Sequence, residues 1–201
     1  MVKSDNIISP KKEEIIKSIL EVLKEPYQYA RDMHIHNEIA TFKRDWVGMY
    51  NLRDAFDQLR KLLIHLFEDD DNSKANRELA EMEAHLYRAI LEGAQNVTEV
   101  YLDRIDKKLK PRILYRLSFV DAPSETEITT AISSAKEKIE HGRNYKPKNW
   151  KEAAKSFKEA EDILKSLEQR LPSSNEIRCR LVILGCTIIA LLIGTGIGHF
   201  F

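Results

Sequence analysis

Residues 181–201 read LVILGCTIIALLIGTGIGHFF, 21 positions without one Lys, Arg, Asp or Glu in a chain whose residues are 32% charged overall. No other feature narrows the fold as much. At about 1.5 Å per residue the run makes a helix of roughly 31 Å, close to the bilayer hydrocarbon thickness of about 30 Å. A core helix of that length normally carries a polar face, and here only Cys, Thr and a late His interrupt the apolar residues. The sequence therefore predicts a transmembrane helix. Arg178 and Arg180 mark its near edge, while His199, Phe200 and Phe201 lie at the far one. Cations favour the cytoplasmic side, so the preceding 180 residues are expected in the cytoplasm, with the span as a single-pass tail anchor.

The run has an internal pattern. Cys186, Ala190, Gly194 and Gly198 recur every four residues, and the last two close a GxxxG. Small residues along one side let helix backbones approach closely, a principal drive for association in lipid. These four positions are the expected membrane-helix packing face, and a homo-oligomer is expected from them.

The charged remainder is built for helices. The chain of 201 residues holds 32 basic and 32 acidic side chains, seven Gly and six Pro, with a mean hydropathy of −0.42. A zero net charge argues against nucleic-acid binding through bulk positive charge. The two cysteines, Cys179 and Cys186, give neither a disulfide framework nor a paired-cysteine zinc site. The opening MVKSDNIISPKKEE has no apolar run after its first charges and does not read as a signal peptide.

Apolar spacing then divides the chain. Ser9-Pro10 starts a short helix that ends before Pro26, with Ile15, Ile16, Ile19, Leu20, Val22 and Leu23 apolar. The state of 26–44 stays open. From Asp45 to Glu68, Met49, Leu52, Phe56, Leu59, Leu63 and Leu66 step 3, 4, 3, 4, 3. Trp46, Ala55, Leu62 and Phe67 widen that stripe, which predicts a helix facing the core across its width. Ser73 is the expected cap of a long helix with Leu79, Met82, Leu86, Ile90, Val97, Tyr101, Ile105 and Leu109 inward, a pattern that Gly93 interrupts without breaking and Pro111 stops. The apolar stretch 113–120 has no assignment. Ser124 and Glu127 form a capping box for a helix with Ile128, Ala131, Ile132, Ala135 and Ile139 inward. After the connector HGRNYKPKN, Trp150, Ala153, Phe157, Ala160, Leu164, Leu167 and Leu171 step regularly at 3.5 residues, a coiled-coil-like seam. A short connector makes antiparallel neighbours, so this seam is expected to pack on the preceding helix as a hairpin. The expected fold is all-α: a helical bundle over 1–171, a juxtamembrane linker over 172–180, and a transmembrane helix over 181–201.

Two strings carry an Arg five residues before a His: Arg31 to His36 in RDMHIH, and Arg60 to His65 in RKLLIH. That spacing resembles the R-x4-6-H signature of HEPN-type ribonucleases, all-helical proteins in which two protomers bring Arg and His together at a dimer cleft. RDMHIH matches more closely, because a polar residue follows its Arg. The resemblance covers six residues and implies a metal-independent ribonuclease with Arg31 and His36 as catalytic candidates, and Arg60 and His65 behind them. On a continuous helix, positions i and i+5 lie about 140° apart, so convergence requires a break or a second chain. His34 and Glu38 share a helical face while His36 points away, and Glu81 with His85 make only a pair, so no metal site is expected. No P-loop, GxSxG, HExxH or Rossmann glycine pattern occurs, and no cofactor is expected.

Two cationic groups remain. Arg104, Lys107, Lys108, Lys110, Arg112 and Arg116 gather where the long helix ends. Arg143, Lys146, Lys148 and Lys151 surround Tyr145 and Trp150 in the connector, and this second group is the expected contact with anionic lipid. Together these features predict a membrane-anchored scaffold or effector that acts by oligomerisation or by docking a protein partner, with a pore-forming oligomer as a variant. The alternative is the HEPN-like ribonuclease brought to a membrane. Nucleic acid is a partner only under that alternative.

Overall fold

The computed structural model describes residues 9–110, 123–145 and 149–198, without the side chains of Tyr145, Ser174 and 192–198. Among the described residues the chain forms seven helices and no strand: α1 (Pro10–Lys24), α2 (Pro26–Thr41), α3 (Trp46–Phe67), α4 (Asn72–Leu109), α5 (Glu125–Tyr145), α6 (Trp150–Arg170) and α7 (Ser174–Gly198). The all-helical bundle expected from the sequence is present. The unassigned stretch 113–120, with Arg112 and Arg116 beside it, lies outside the described residues. By proximity the chain divides into two units, one of Met1–Val97 with Ile139–Lys158, the other of Thr98–Lys138 with Glu159–Phe201.

In the first unit, the Ser9 hydroxyl accepts from the Lys12 N–H at 3.4 Å and Pro10 opens α1, whose Ile15, Ile19 and Val22 are buried. Pro26 has no N–H to donate, so one helix ends and α2 begins there. The open segment 26–44 is thus helical as far as Thr41. α2 buries Ala30, Met33, Asn37 and Ala40. Gly93 in α4 receives Met33: a Cβ there would lie 2.9 Å from the Met33 Cγ, which explains a glycine inside a long helix. Asn37, 2% exposed, has its carbonyl oxygen satisfied by the Asn96 amide at 2.8 Å. The expected inward positions of α4 in this unit, Leu79, Met82, Leu86, Ile90 and Val97, are buried. Its cap differs from expectation. The Asp71 carboxylate, not the Ser73 hydroxyl, accepts the N–H groups of Ser73 and Lys74 at 3.1 and 3.0 Å. An anionic oxygen at a helix start outcompetes a hydroxyl, because it also meets the positive end of the helix dipole.

The expected α5–α6 hairpin is observed within each unit separately. In the first, the His141 Nδ1 and Ser156 Oγ lie 2.8 Å apart, and the Phe157 ring rests on Gly142. In the second, Lys138 pairs with Glu159 at 2.6 Å and Arg170 with Glu127 at 2.9 Å. In that second unit the partner on α6 falls from Arg170 to Glu159 as the residue on α5 rises from Glu127 to Lys138, the mark of antiparallel neighbours. Ser124 and Glu127 form the expected capping box, each side chain accepting the other's N–H, at 3.2 and 2.7 Å. Asn149 caps α6. The 3.5-residue seam of α6 is buried from Ala153 to Leu171 at every expected position.

Helix α7 starts with a second reciprocal box, Ser173 with Glu176, at 3.2 and 2.6 Å. Residues 174–180, read from sequence as linker, are therefore its first turns, and Ile177 is buried in the second unit. Among the described residues no helix is long and apolar enough to cross a membrane. The apolar run continues past Leu191, where side chains lie outside the described residues. A transmembrane character for α7 therefore rests on the sequence.

Candidate functional site

Helix α3 corrects the reading of its own stripe. Asp45 caps it, its carboxylate accepting the Gly48 N–H at 2.9 Å. Ala55, Leu62 and Leu66 are 2%, 0% and 0% exposed and centre the buried face. Met49, Phe56, Leu63 and Phe67, all expected in the core, are 42%, 48%, 41% and 56% exposed. Residues seven apart on a helix differ by only about 20° in direction, so 49, 56 and 63 share a face, and 67 extends it by one turn. That face lies roughly 100° from the buried one. The stripe was wide because it is two faces, one packed and one presented.

The presented face is built from α3 alone along most of its length. Phe56, Leu59, Arg60, Leu63, Ile64, Phe67 and Glu68 line an open groove of about 460 Å³. Tyr27 of α2 meets the Phe56 ring edge-on, with centres 5.4 Å apart. The charges along α3 pair on the helix itself: Arg60 and Lys61 with Asp57 at 3.1 and 2.9 Å, Arg53 with Asp54 at 2.8 Å. Lys61 and Arg60 hold the Asp57 carboxyl below its ordinary value. Such intrahelical pairs stabilise little and leave the apolar row open.

Arg31 and His36 sit on the unbroken helix α2, Arg31 exposed and His36 half-buried, and helix geometry turns them away from each other. Arg60 and His65 lie on the unbroken α3, where Arg60 engages Asp57 and the His65 Nδ1 lies 2.7 Å from the Asp69 carboxylate. Neither pair converges within one chain. His34, considered above as a ligand, lies with its Nδ1 3.1 Å from the Asp45 carboxylate and its Nε2 4.0 Å from Glu38, whose carboxylate accepts the Asp45 N–H at 3.1 Å. These groups tie the end of α2 to the start of α3. His85 faces Asn51 at 3.5 Å. Among the described residues no group of three His, Cys, Asp or Glu side chains is placed to hold a metal ion.

The cationic groups are largely engaged. Lys107 and Lys110 pair with Asp103 and Asp106 one turn back, Lys108 with Glu168, and the Arg104 guanidinium lies 5.6 Å from the Tyr101 ring centre. Of the expected lipid-contact residues, Lys151 pairs with Glu25 at 2.5 Å, Arg143 is exposed at the end of α5, and Lys146 and Lys148 lie outside the described residues. Trp150 is held between Tyr29 and Tyr87, with ring centres 5.6 and 5.4 Å away. The expected packing residues of the apolar helix run along α7: Cys186 and Ala190 are exposed, and the side-chain surroundings of Gly194 and Gly198 lie outside the described residues.

A second exposed feature went unread in the sequence. At the α2–α3 corner, Phe42 is 86% exposed, Ile39 65% and Trp46 49%. Its signal was TFKRDW, two aromatics around two cations in a turn. No family model, curated protein or solved structure matches the chain.

Proposed function

We propose that the chain is a membrane-anchored helical bundle that works by docking, through the presented face of α3, a second copy of itself or a protein partner, without chemistry of its own. The observation that carries this reading is Met49, Phe56, Leu63 and Phe67 standing half-exposed in one row beside a fully packed core. A contiguous apolar row of that kind is unfavourable in water and marks an interaction surface. It has the spacing of a helix-in-groove anchor set, or of half a coiled coil.

The anchor in this proposal is α7, with the bundle on the cytoplasmic side. Val182, Ile183, Leu184, Ile188, Ile189 and Leu191 are all more than 40% exposed and point around the full circumference of the helix. Apolar exposure on every side suits lipid better than a core. The Thr187 hydroxyl donates to the Ile183 carbonyl at 2.9 Å, the way a hydroxyl is satisfied inside an apolar helix. Arg178 and Arg180 stand at the start of the run. Cys186, Ala190, Gly194 and Gly198 offer close helix approach within the membrane.

The test separates the two parts. In detergent, Phe56→Glu with Leu63→Glu is expected to lower the particle mass of the full chain to that of a monomer with unchanged far-ultraviolet circular dichroism. Gly194→Ile is expected to weaken association through the membrane helix and leave the α3 contact. Truncation after Arg180 is expected to move the protein from carbonate-washed membranes to the soluble fraction. An unchanged mass in the α3 variant removes self-docking through α3. Retention of the truncated chain in membranes removes α7 as the anchor.

A further inference from the structure

The corner between α2 and α3 presents its hydrophobic side chains in an unusual way. Phe42 ends α2 in the left-handed conformation, φ 56° and ψ 28°, with its N–H still bonded to the Glu38 carbonyl at 2.9 Å. Glycine or asparagine normally fills that position, because a Cβ is disfavoured there. Here a phenylalanine occupies it and is the most exposed large apolar residue described. Trp46, the first residue of α3, stacks on Tyr50 with centres 6.3 Å apart, and both are about half exposed. Ile39 stands exposed one turn before Phe42.

Cations lead the charge around these rings, since the nearby Glu38 carboxylate is engaged with the Asp45 N–H at 3.1 Å and lies 4.0 Å from the His34 Nε2. Within 39–50 the one acidic residue is Asp45, and its carboxylate is turned inward, 7% exposed, between the Gly48 N–H and His34. Lys43 pairs with no carboxylate among the described residues. The Arg44 guanidinium lies 5.6 Å from the Trp46 ring centre, extending the ring's surface with a cation. The corner thus offers two aromatic rings and an isoleucine outward, bordered by two cations. An apolar protein groove would accept the rings and leave the cations unmatched. The headgroup region of an anionic bilayer accepts both, since amphipathic rings settle at the interface and cations meet lipid phosphate. The contrast with the other tryptophan is direct: Trp150 also has lysines as neighbours, but its ring is packed and Lys151 is already paired.

We propose that the α2–α3 corner is a membrane-surface contact, seating Phe42 and Trp46 in the headgroup region of an anionic leaflet while Lys43 and Arg44 engage lipid phosphate. It rests on the reading that the protein works at a membrane, but its readout is independent of the anchor. The chain holds two tryptophans. In the Trp150→Phe protein, emission reports Trp46 alone, and Trp46→Phe provides the internal control at Trp150. Each full chain is mixed with vesicles of phosphatidylcholine carrying brominated acyl chains, either alone or with phosphatidylserine at roughly 7:3. Co-flotation after a carbonate wash reports the anchor, and quenching reports the corner.

The expected result is quenching and a blue shift of Trp46 in the anionic vesicles only, with Trp150 unchanged. Replacing Lys43 and Arg44 by Gln is expected to weaken the contact about thirty-fold, which is ~1 kcal/mol per cation at ~1.4 kcal/mol per tenfold. Flotation without Trp46 quenching overturns the corner and leaves the anchor. Quenching without carbonate-resistant flotation leaves the corner and overturns the anchor. Equal quenching in neutral vesicles overturns the assignment to an anionic leaflet. A blue shift that grows with protein concentration without lipid places a second copy at the corner instead, and also overturns the proposal.

Discussion

Helices α3 and α6 are close in length, 22 and 21 residues, and both carry apolar residues stepping by threes and fours. On α6 every expected seam position from Ala153 to Leu171 is buried, while on α3 the row through Met49, Phe56, Leu63 and Phe67 is half exposed. The difference lies in side-chain size and breadth. The seam of α6 alternates Ala153 and Ala160 with Phe157 and Leu164, so a neighbouring helix comes close and closes one narrow stripe. Helix α3 has large apolar residues around more than half its circumference, more than the neighbours packed on it cover. Their ion pairs differ in the same sense. Lys138–Glu159 and Arg170–Glu127 cross from α5 to α6 at the edges of a closed seam, whereas Arg60, Lys61 and Arg53 pair within α3. Breadth of an apolar stripe measures how much surface asks to be covered, not how much is.

The largest expected effect tests that difference. Phe157→Ala empties a site 1% exposed and is expected to cost about 3–5 kcal/mol, read as a shift in urea midpoint. Phe56→Ala, at a site 48% exposed, is expected to cost below about 1.5 kcal/mol, because half of its area already meets water. Equal losses at the two sites mean that the α3 row is covered, and the proposed docking face then disappears.

Periods and caps were legible because they are local: the box of Ser124 with Glu127 and the seam of α6 fall where spacing placed them. The α5–α6 hairpin was legible because its connector is short. Which side of α3 faces inward was not, since that depends on how α2 and α4 pack together, through residues as far apart in sequence as Met33 and Gly93. Nor did the spacing show that Asp71 wins the α4 cap over Ser73, two acceptors competing for the same N–H groups. For the site, composition pointed to cations beside Trp150, where Glu25 and two tyrosines turn out to occupy the neighbours. The cations beside Trp46 passed unnoticed, because only the fold shows that Asp45 between them is turned inward.

A smaller effect sharpens the account of α6. A Cβ at Gly142 would lie 3.1 Å from the Phe157 ring and 3.2 Å from the Ala153 carbonyl oxygen. Neither neighbour moves freely, one being a packed ring and the other backbone. Gly142→Ala is therefore expected to lose about 1–3 kcal/mol to overpacking, set against about 1 kcal/mol gained in helix propensity. The net destabilisation of about 1 kcal/mol is read from the thermal midpoint. A gain instead means that α5 and α6 sit less closely than their alanines allow.

The smallest effect concerns the far edge of the same seam and depends on pH. The Arg170 guanidinium, first, and then the Ser124 N–H and hydroxyl hold the Glu127 carboxyl down from its ordinary 4.5 to about 2. A carboxyl that is more acidic when folded stabilises the fold in its ionised form. That contribution is complete above pH 4.5 and is lost as the pH falls from there to about 2. The pair is exposed, so its share of the total is small and screened by salt. Asp57, Asp71 and Glu176 are also held below their ordinary values and titrate in the same direction, so wild-type acid sensitivity alone assigns nothing to Glu127. The difference between proteins does. Arg170→Gln removes the largest cause, so the Glu127 carboxyl is expected to titrate nearer its ordinary value by carbon-detected NMR. Urea midpoints of variant and wild type are then expected to differ above pH 4.5 and to converge toward pH 2. A Glu127 titration unmoved by Arg170→Gln means that the Ser124 cap alone sets it, and leaves Lys138–Glu159 as the charge pair that joins α5 to α6 where α3 has only pairs of its own.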